Sequence, residues 1–281
     1  MKSINTKPKV SIVIPTRNSA QTLEKCLRSV KNQTYSNSEI IVIDDFSSDE
    51  TVTIAESFEA KIIRQKCNPA QARNLGVECS SGEYVLFLDS DQILSPSVVE
   101  ESLVKCTKEN AEMVRIPEVF VGKEFWSVCS AIWRNCYDEV ERLYEKRFSL
   151  VRGKPRFFVK KRVVDAGMFD NLLLWGEDYD LHQRLKNMNV KEAQCESVLY
   201  HCESFSLKQF FVKNLRYSKS MPIFMQQAKF KVFPNMLNHG LLTFAMILRK
   251  PQRPKIIVGC ALLFWIKSNS MIIGVLPGLR K

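Results

Sequence analysis

Short runs of β-branched and aliphatic residues, each ending in a polar or acidic cluster, alternate with helical patterns through residues 10–91. Residues 10–14 end at Pro15, residues 40–43 at Asp44-Asp45 and residues 84–88 at Asp89, with residues 61–63 as a shorter run between them. Ala20–Lys31, residues 49–58 and Pro69–Cys79 carry helical spacing, with Leu23, Leu27 and Val30 on one face of the first. Short strands alternating with helices of about ten residues predict βαβ units and a mostly parallel sheet. In open sheets of this kind ligands bind beyond the carboxyl ends of the strands. The clusters Pro15-Thr16-Arg17-Asn18, Asp44-Asp45 and Asp89-Ser90-Asp91 are therefore expected on one rim.

Length and composition narrow the class. A chain of 281 residues, 45% hydrophobic, can bury one large core or two small ones. Its aromatic content, with 17 Phe among others, argues against disorder. Nine Cys, an odd number with no CxxC pair, point away from a disulfide scaffold and from a zinc ribbon, and toward reduced thiols in the cytosol. Residues 1–9 contain no apolar segment, so no signal peptide is expected.

The net charge of +11 hides an asymmetry. All 30 acids lie at or before Glu203, whereas residues 204–281 carry 13 Lys or Arg and no acid. Such a segment faces an anionic partner, and nucleic acid and anionic lipid are the candidates. The basic residues are scattered among Leu, Ile and Phe runs rather than clustered with polar contact residues, which disfavours nucleic acid. Residues 256–279 are the most apolar stretch, but Lys267-Ser268-Asn269-Ser270 interrupts it. A span needs about 20 apolar residues and a central Lys costs roughly 2.5–3.5 kcal/mol, so two shorter pieces lying in the interface are expected.

No GxxxxGK[ST] and no GxGxxG after a strand is present, which excludes a P-loop NTPase or a dinucleotide-binding dehydrogenase on motif grounds. Asp89-x-Asp91 at a strand end offers carboxylate oxygens to a hard divalent cation, or is merely turn-forming. Residues 124–147 read as an amphipathic helix, 157–160 as a strand, 178–185 as a short helix and 197–200 as a strand. His182 falls on a helix face expected to be exposed, and His239 has no sequence context.

The segments VSIVIPTRN, IIVIDDFSSDET, NPAQARNLGVECSSGEYVLFLDSD and VDAGMFDNLLLWGEDYDLHQRL, in that order, resemble the family 2 glycosyltransferases with a GT-A fold. The resemblance runs from Val10 to about His201. It implies an α/β, Rossmann-like, mostly parallel sheet flanked by helices, and inverting transfer of a sugar from a nucleotide-sugar donor with a divalent cation, Mn2+ or Mg2+. It places Pro15 and Arg17 beside the nucleotide, Asp45 as acceptor from the base ring and Asp44 as its support. Arg73 matches the Arg of an ARNxG segment near the diphosphate. Asp89 and Asp91 match the DxD, with Asp91 the direct metal ligand, and His201 matches a His that completes the metal site in many relatives. Asp178 matches the general base, and Glu177 helps to position the acceptor. The sequence departs from the pattern at Phe46, where relatives commonly have Gly or Asn, and at Gln92, which replaces a frequent third acid. Residues 118–152 match no motif and lie where the family varies to fit its acceptor.

The expected organisation is a catalytic domain over residues 1–203 and a basic, partly apolar helical tail over 204–281. The expected setting is the cytoplasmic face of a membrane, with a glycan or lipid-linked acceptor. A nucleotidyltransferase on a related sheet is the alternative enzyme class. It too uses acidic metal sites, but the missing N-terminal Gly-rich phosphate loop counts against it.

Overall fold

A computed structural model describes residues 7–148, 155–220, 222, 223, 226 and 232–275. The chain divides into two compact units. The first comprises Met1–Pro117, Pro155–Asp170 and Leu181–Leu199, and the second Glu118–Lys154, Asn171–Asp180 and Tyr200–Lys281. The compositional break at Ser204 lies inside the second unit.

The chain opens as β1 (Val10–Thr16), α1 (Ala20–Lys31), β2 (Ser38–Asp44), α2 (Thr51–Ser57), β3 (Lys61–Arg64), α3 (Pro69–Cys79) and β4 (Tyr84–Phe87). It continues through β5 (Gln92–Leu94), α4 (Val98–Lys108), β6 (Met113–Arg115), β7 (Glu118–Gly122), α5 (Phe125–Phe148), β8 (Pro155–Val159) and α6 (Lys160–Asp165). Then follow α7 (Glu177–Asn187), β9 (Glu192–Gln194), β10 (Leu199–Glu203), α8 (Leu207–Ser218), α9 (Val232–Arg249) and α10 (Pro254–Val275).

In the first unit seven strands form one sheet in the order β3-β2-β1-β4-β8-β6-β9. β1, β2, β3 and β4 pair in parallel, β8 runs antiparallel to both β4 and β6, and β9 is parallel to β6. The expected parallel sheet is thus present, interrupted by one antiparallel strand.

Successive side chains of a strand point to opposite faces. Ile12, Ile14, Val42 and Leu86 accordingly enter one core with Leu23 and Leu27 of α1, while Val13, Ile41, Ile43 and Phe87 enter another with Ala72 and Val77 of α3 and Leu181 and Leu185 of α7. That double burial explains why these strands read as continuous apolar runs rather than alternating ones.

In the second unit β10 lies beside β7. Cys129, Trp133 and Cys136 of α5 pack with Ile247 of α9 and with Cys260 and Leu263 of α10. Trp133 stacks on Phe264 at 4.9 Å between centroids. α10 is continuous through Lys267–Ser270, the polar interruption of the apolar stretch. The polar residues there are absorbed by the helix itself: Asn269 Nδ2 donates to Trp265 O at 2.8 Å and Ser270 Oγ to Ile266 O at 2.7 Å. The end of the expected stretch, from residue 276, lies outside the described residues. Among the described residues no helix is long and apolar enough to cross a membrane.

Candidate active site

Because β2, β1 and β4 are parallel neighbours, the three polar clusters of the first unit emerge side by side. Pro15 pairs with Ile43 and Thr16 with Asp44, so the turns after β1 and β2 leave the sheet at one level. They are clasped together there. The Asp45 amide donates to Thr16 O at 2.9 Å, the Asn18 amide to Ser47 Oγ at 2.8 Å, and the Ser48 amide to Asn18 Oδ1 at 2.9 Å. Ser90, inside the DxD turn, donates to Ser19 Oγ at 2.9 Å.

The adjacent acids Asp44 and Asp45 do different work. Asp44 is fully buried; it accepts from the Ser47 amide at 3.1 Å and from Arg64 Nε at 3.2 Å, which fixes the turn from within. Asp45 meets Arg17 at 2.9 Å and Lys66 at 3.0 Å, and accepts from the Cys67 amide at 3.4 Å. Burial pushes its carboxyl up, but Lys66, the Cys67 amide and Arg17 together hold it below the ordinary carboxylate range. It is a carboxylate at neutral pH, able to accept from an N–H donor.

The segment Ala72–Gly76 explains itself in space. Asn68 and Gln71 form a capping box and Pro69 opens α3, starting the helix beside Asp45. Ala72 is buried, Arg73 Nη2 reaches Asp89 Oδ1 at 2.8 Å, and the Asn74 amide group bonds Phe169 O and Phe169 N at 2.8 and 2.9 Å. Gly76 sits so close to β1 that an added Cβ would lie 2.1 Å from Val13 Cγ1. Its role is close helix–sheet approach.

Asp89 is also met by Arg156 of β8, at 3.2 Å on the other carboxylate oxygen. Sequence reading missed Arg156, and likewise Arg64 and Lys66 on the rim. The last two lie at and just past the carboxyl end of β3, where the rim rule applies equally. Arg156 left a fainter signal, a cation inside the apolar run PRFFV.

Asp89 and Asp91 are both half-buried. Burial and the charges of Asp91 and Asp89 push the Cys26 thiol far up, so Cys26 is a packed, neutral thiol. Gln92 is fully buried and its Oε1 accepts from the Asp89 amide at 2.9 Å, so it shapes the turn that presents the two carboxylates.

Carboxylate oxygens at a strand end are the donor type that suits a hard divalent cation. Among the described residues no three His, Cys, Asp or Glu gather to hold a metal on their own. Of the two carboxylates, Asp89 faces the guanidinium groups of Arg73 and Arg156.

Glu177, Asp178 and His201 belong to the second unit and are described there. Glu177 and Asp178 stand in the first turn of α7, where a carboxylate is favoured by the helix dipole. Gly176 precedes them with φ +82°, a conformation that glycine supplies without strain. Glu177 is buried, and Asp178 Oδ1 accepts from the Tyr179 amide at 2.9 Å. Burial, with Glu141, Tyr137 and Asp178 adding charge, pushes the Tyr179 hydroxyl far up. His201 lies within β10 rather than after it, 3.5 Å from Glu118 Oε2 and 5.2 Å from the Phe120 ring centroid. Arg134, which lies over Phe120 at 3.8 Å, pairs with Glu203 at 2.7 Å.

Of the other histidines, His182 corrects the sequence reading. His182 is 1% exposed, because α7 turns that face onto the sheet, where its ring meets Glu192 at 3.1 Å. His239 is fully buried on α9 with its ring 3.7 Å from that of Tyr137.

Comparison with known proteins places the chain in a family and a fold. The family model described as Glycosyl transferase family 2 matches residues 11–167. The glycosyltransferase GlyA of Streptococcus pneumoniae is 29% identical over 211 residues, 68% of this chain and 30% of that protein. The chain spans 30–60% of the lengths of the curated glycosyltransferases it matches. Among solved structures, mannosyltransferase PcManGT of Pyrobaculum calidifontis, in complex with GDP-Man and Mn2+, aligns with TM-score 0.58 at 16% identity, over 95% of this chain and 74% of that one. S. aureus TarS 1-349 in complex with UDP-GlcNAc aligns with TM-score 0.55 at 14% identity, over 95% and 90%. The architecture is the GT-A fold expected from the motifs.

Proposed function

We propose, since the chain belongs to glycosyl transferase family 2, that it moves a sugar from a UDP- or GDP-sugar to an acceptor hydroxyl with inversion at the anomeric carbon. The observation that carries the reading is the rim itself: a carboxylate, Asp45, held by Arg17 and Lys66, beside an Arg73–Asp89–Arg156 cluster. The structures of similar fold bind UDP-GlcNAc in one case and GDP-Man with Mn2+ in the other, which keeps both nucleotides in view.

In this account Asp45 accepts from the base, with Pro15 and Arg17 bordering the nucleotide and Asp44 holding the turn. Arg73 lies toward the diphosphate and fixes Asp89, and Asp91 is the direct metal ligand. His201 is the family's additional metal position. A bound Mn2+ or Mg2+ would neutralise charge developing on the departing diphosphate. Asp178 takes the acceptor's proton, and Glu177 positions the acceptor. An inverting transfer needs that single base and no enzyme nucleophile.

Residues 1–203 carry these roles, and the 204–281 segment docks on an anionic membrane surface at the cytoplasmic face, where a lipid-linked glycan or polysaccharide acceptor is met. Nucleic acid has no place in this account. Support for docking comes from an exposed stripe on α10, Val258, Leu262 and Trp265, spaced i, i+4, i+7, together with Leu241 and Leu248 on α9. Arg249, Arg253 and Lys255 flank it, each able to add about 1 kcal/mol of attraction to anionic lipid.

Turnover of the full chain with Mn2+ tests the site. Asp178→Asn keeps shape but cannot accept a proton, so turnover should fall roughly 10²–10⁴-fold with donor affinity retained. Asp91→Ala or excess EDTA should abolish it. Full activity in EDTA, or donor binding lost along with turnover in Asp178→Asn, contradicts the assignment.

A further inference from the structure

We infer that Phe46 is a wall of the base pocket, a stacking surface for the planar heteroaromatic base, held in place against the preference of its own backbone. The inference rests on the reading of Asp45 as the group that accepts from the base.

Phe46 adopts φ +49°, in the left-handed region that an aromatic residue enters only at a cost. The turn does not need a phenylalanine to form. It is fixed by Asp44 to the Ser47 amide, by Ser47 Oγ to the Asn18 amide, and by the Asp45 amide to Thr16 O, none of which uses the Phe46 side chain. Glycine or asparagine would hold the same turn with less strain. Nor does the ring fill a core, since the residue is 56% exposed.

What the ring does have is a position. It follows Asp45 directly and lies 5.5 Å from the Arg64 guanidinium, itself fixed by Asp44 at 3.2 Å and Ser47 O at 3.4 Å. A large aromatic face, backed by a restrained cation and set beside a hydrogen-bond acceptor, suits a flat base: the carboxylate reads its edge and the ring covers its face. Backbone strain retained for an exposed ring is strain retained for contact with a ligand.

Binding of UDP and GDP to the full chain, with thermal melting of each variant, decides this. Phe46→Gly should melt at or above the wild-type temperature, because it relieves the left-handed strain, yet bind its nucleotide roughly 5- to 150-fold more weakly. Phe46→Tyr should bind as wild type does. Two results overturn the inference: unchanged affinity in Phe46→Gly, or weakened binding that appears only with a lowered melting temperature, which makes the ring a cover for the Arg64–Asp44 pair. Asp45→Asn separates the two readings. If it weakens binding and Phe46→Gly does not, the base site stands and the wall falls. If wild type binds neither UDP nor GDP, both fall.

Discussion

Charge at single residues in the first unit is balanced at both ends of the sheet, by different means. At the rim Asp44, Asp45 and Asp89 are met by guanidinium and ammonium groups. Near the start of the strands Glu39 accepts from the Ser11 hydroxyl, from the Ser81 amide and hydroxyl, and from Lys9. Burial pushes the Glu39 carboxyl up, but these partners outweigh it and lower it from an ordinary 4.5 to about 2. A carboxyl depressed on folding stabilises the fold above its unfolded value and loses that contribution as pH falls through its folded one. The wild-type urea midpoint should therefore drop between pH 4.5 and about 2 more steeply than that of Glu39→Gln. Parallel pH profiles would show that Glu39 contributes nothing to acid stability.

At the scale of elements, α3 does the most to assemble the site, and its closeness to β1 is testable. Gly76→Ala removes a poor helix former, a gain of up to about 1 kcal/mol, but drives a methyl into the fully buried Val13 of β1. Overpacking costs roughly 1–3 kcal/mol, so Gly76→Ala should melt several degrees lower and Val13→Ala in the same chain should recover part of the loss. A melting temperature that rises would deny the close contact. These same elements were the legible ones. Residues 10–14, 40–43 and 84–88 announce strands through apolar runs, and Pro69–Cys79 announces a helix through Pro69 and its spacing. β5, β6 and β9, of three residues each, are too short to carry a period. The rim acids were legible because parallel neighbours deliver consecutive strand ends to one edge. Arg156 was not, because β8 inserts beside β4 from far along the chain, and no local pattern records that. Phe46 could be read only as a departure, since its left-handed backbone is a property of the turn.

For the whole molecule, charge is segregated along the chain. The 13 cations after Glu203 meet no acid of their own segment, and Lys250 instead pairs with Glu139 of α5 at 2.5 Å. The exposed stripe includes Val258 at 68% and Trp265 at 62% exposure. Surface substitutions there should leave folding nearly untouched. The full chain should sediment with anionic liposomes at low salt, and Val258→Asp with Trp265→Asp should leave it in the supernatant. Equal sedimentation of both would remove the stripe from the docking surface.

The central claim, sugar transfer from a nucleotide donor held at this rim, is tested most directly by the product released. Incubation of the full chain with UDP- and GDP-sugars and Mn2+ should yield free nucleoside diphosphate from one of the two series and no pyrophosphate, with Asp91→Ala inactive. Release of pyrophosphate, or undiminished release by Asp91→Ala, would contradict the account.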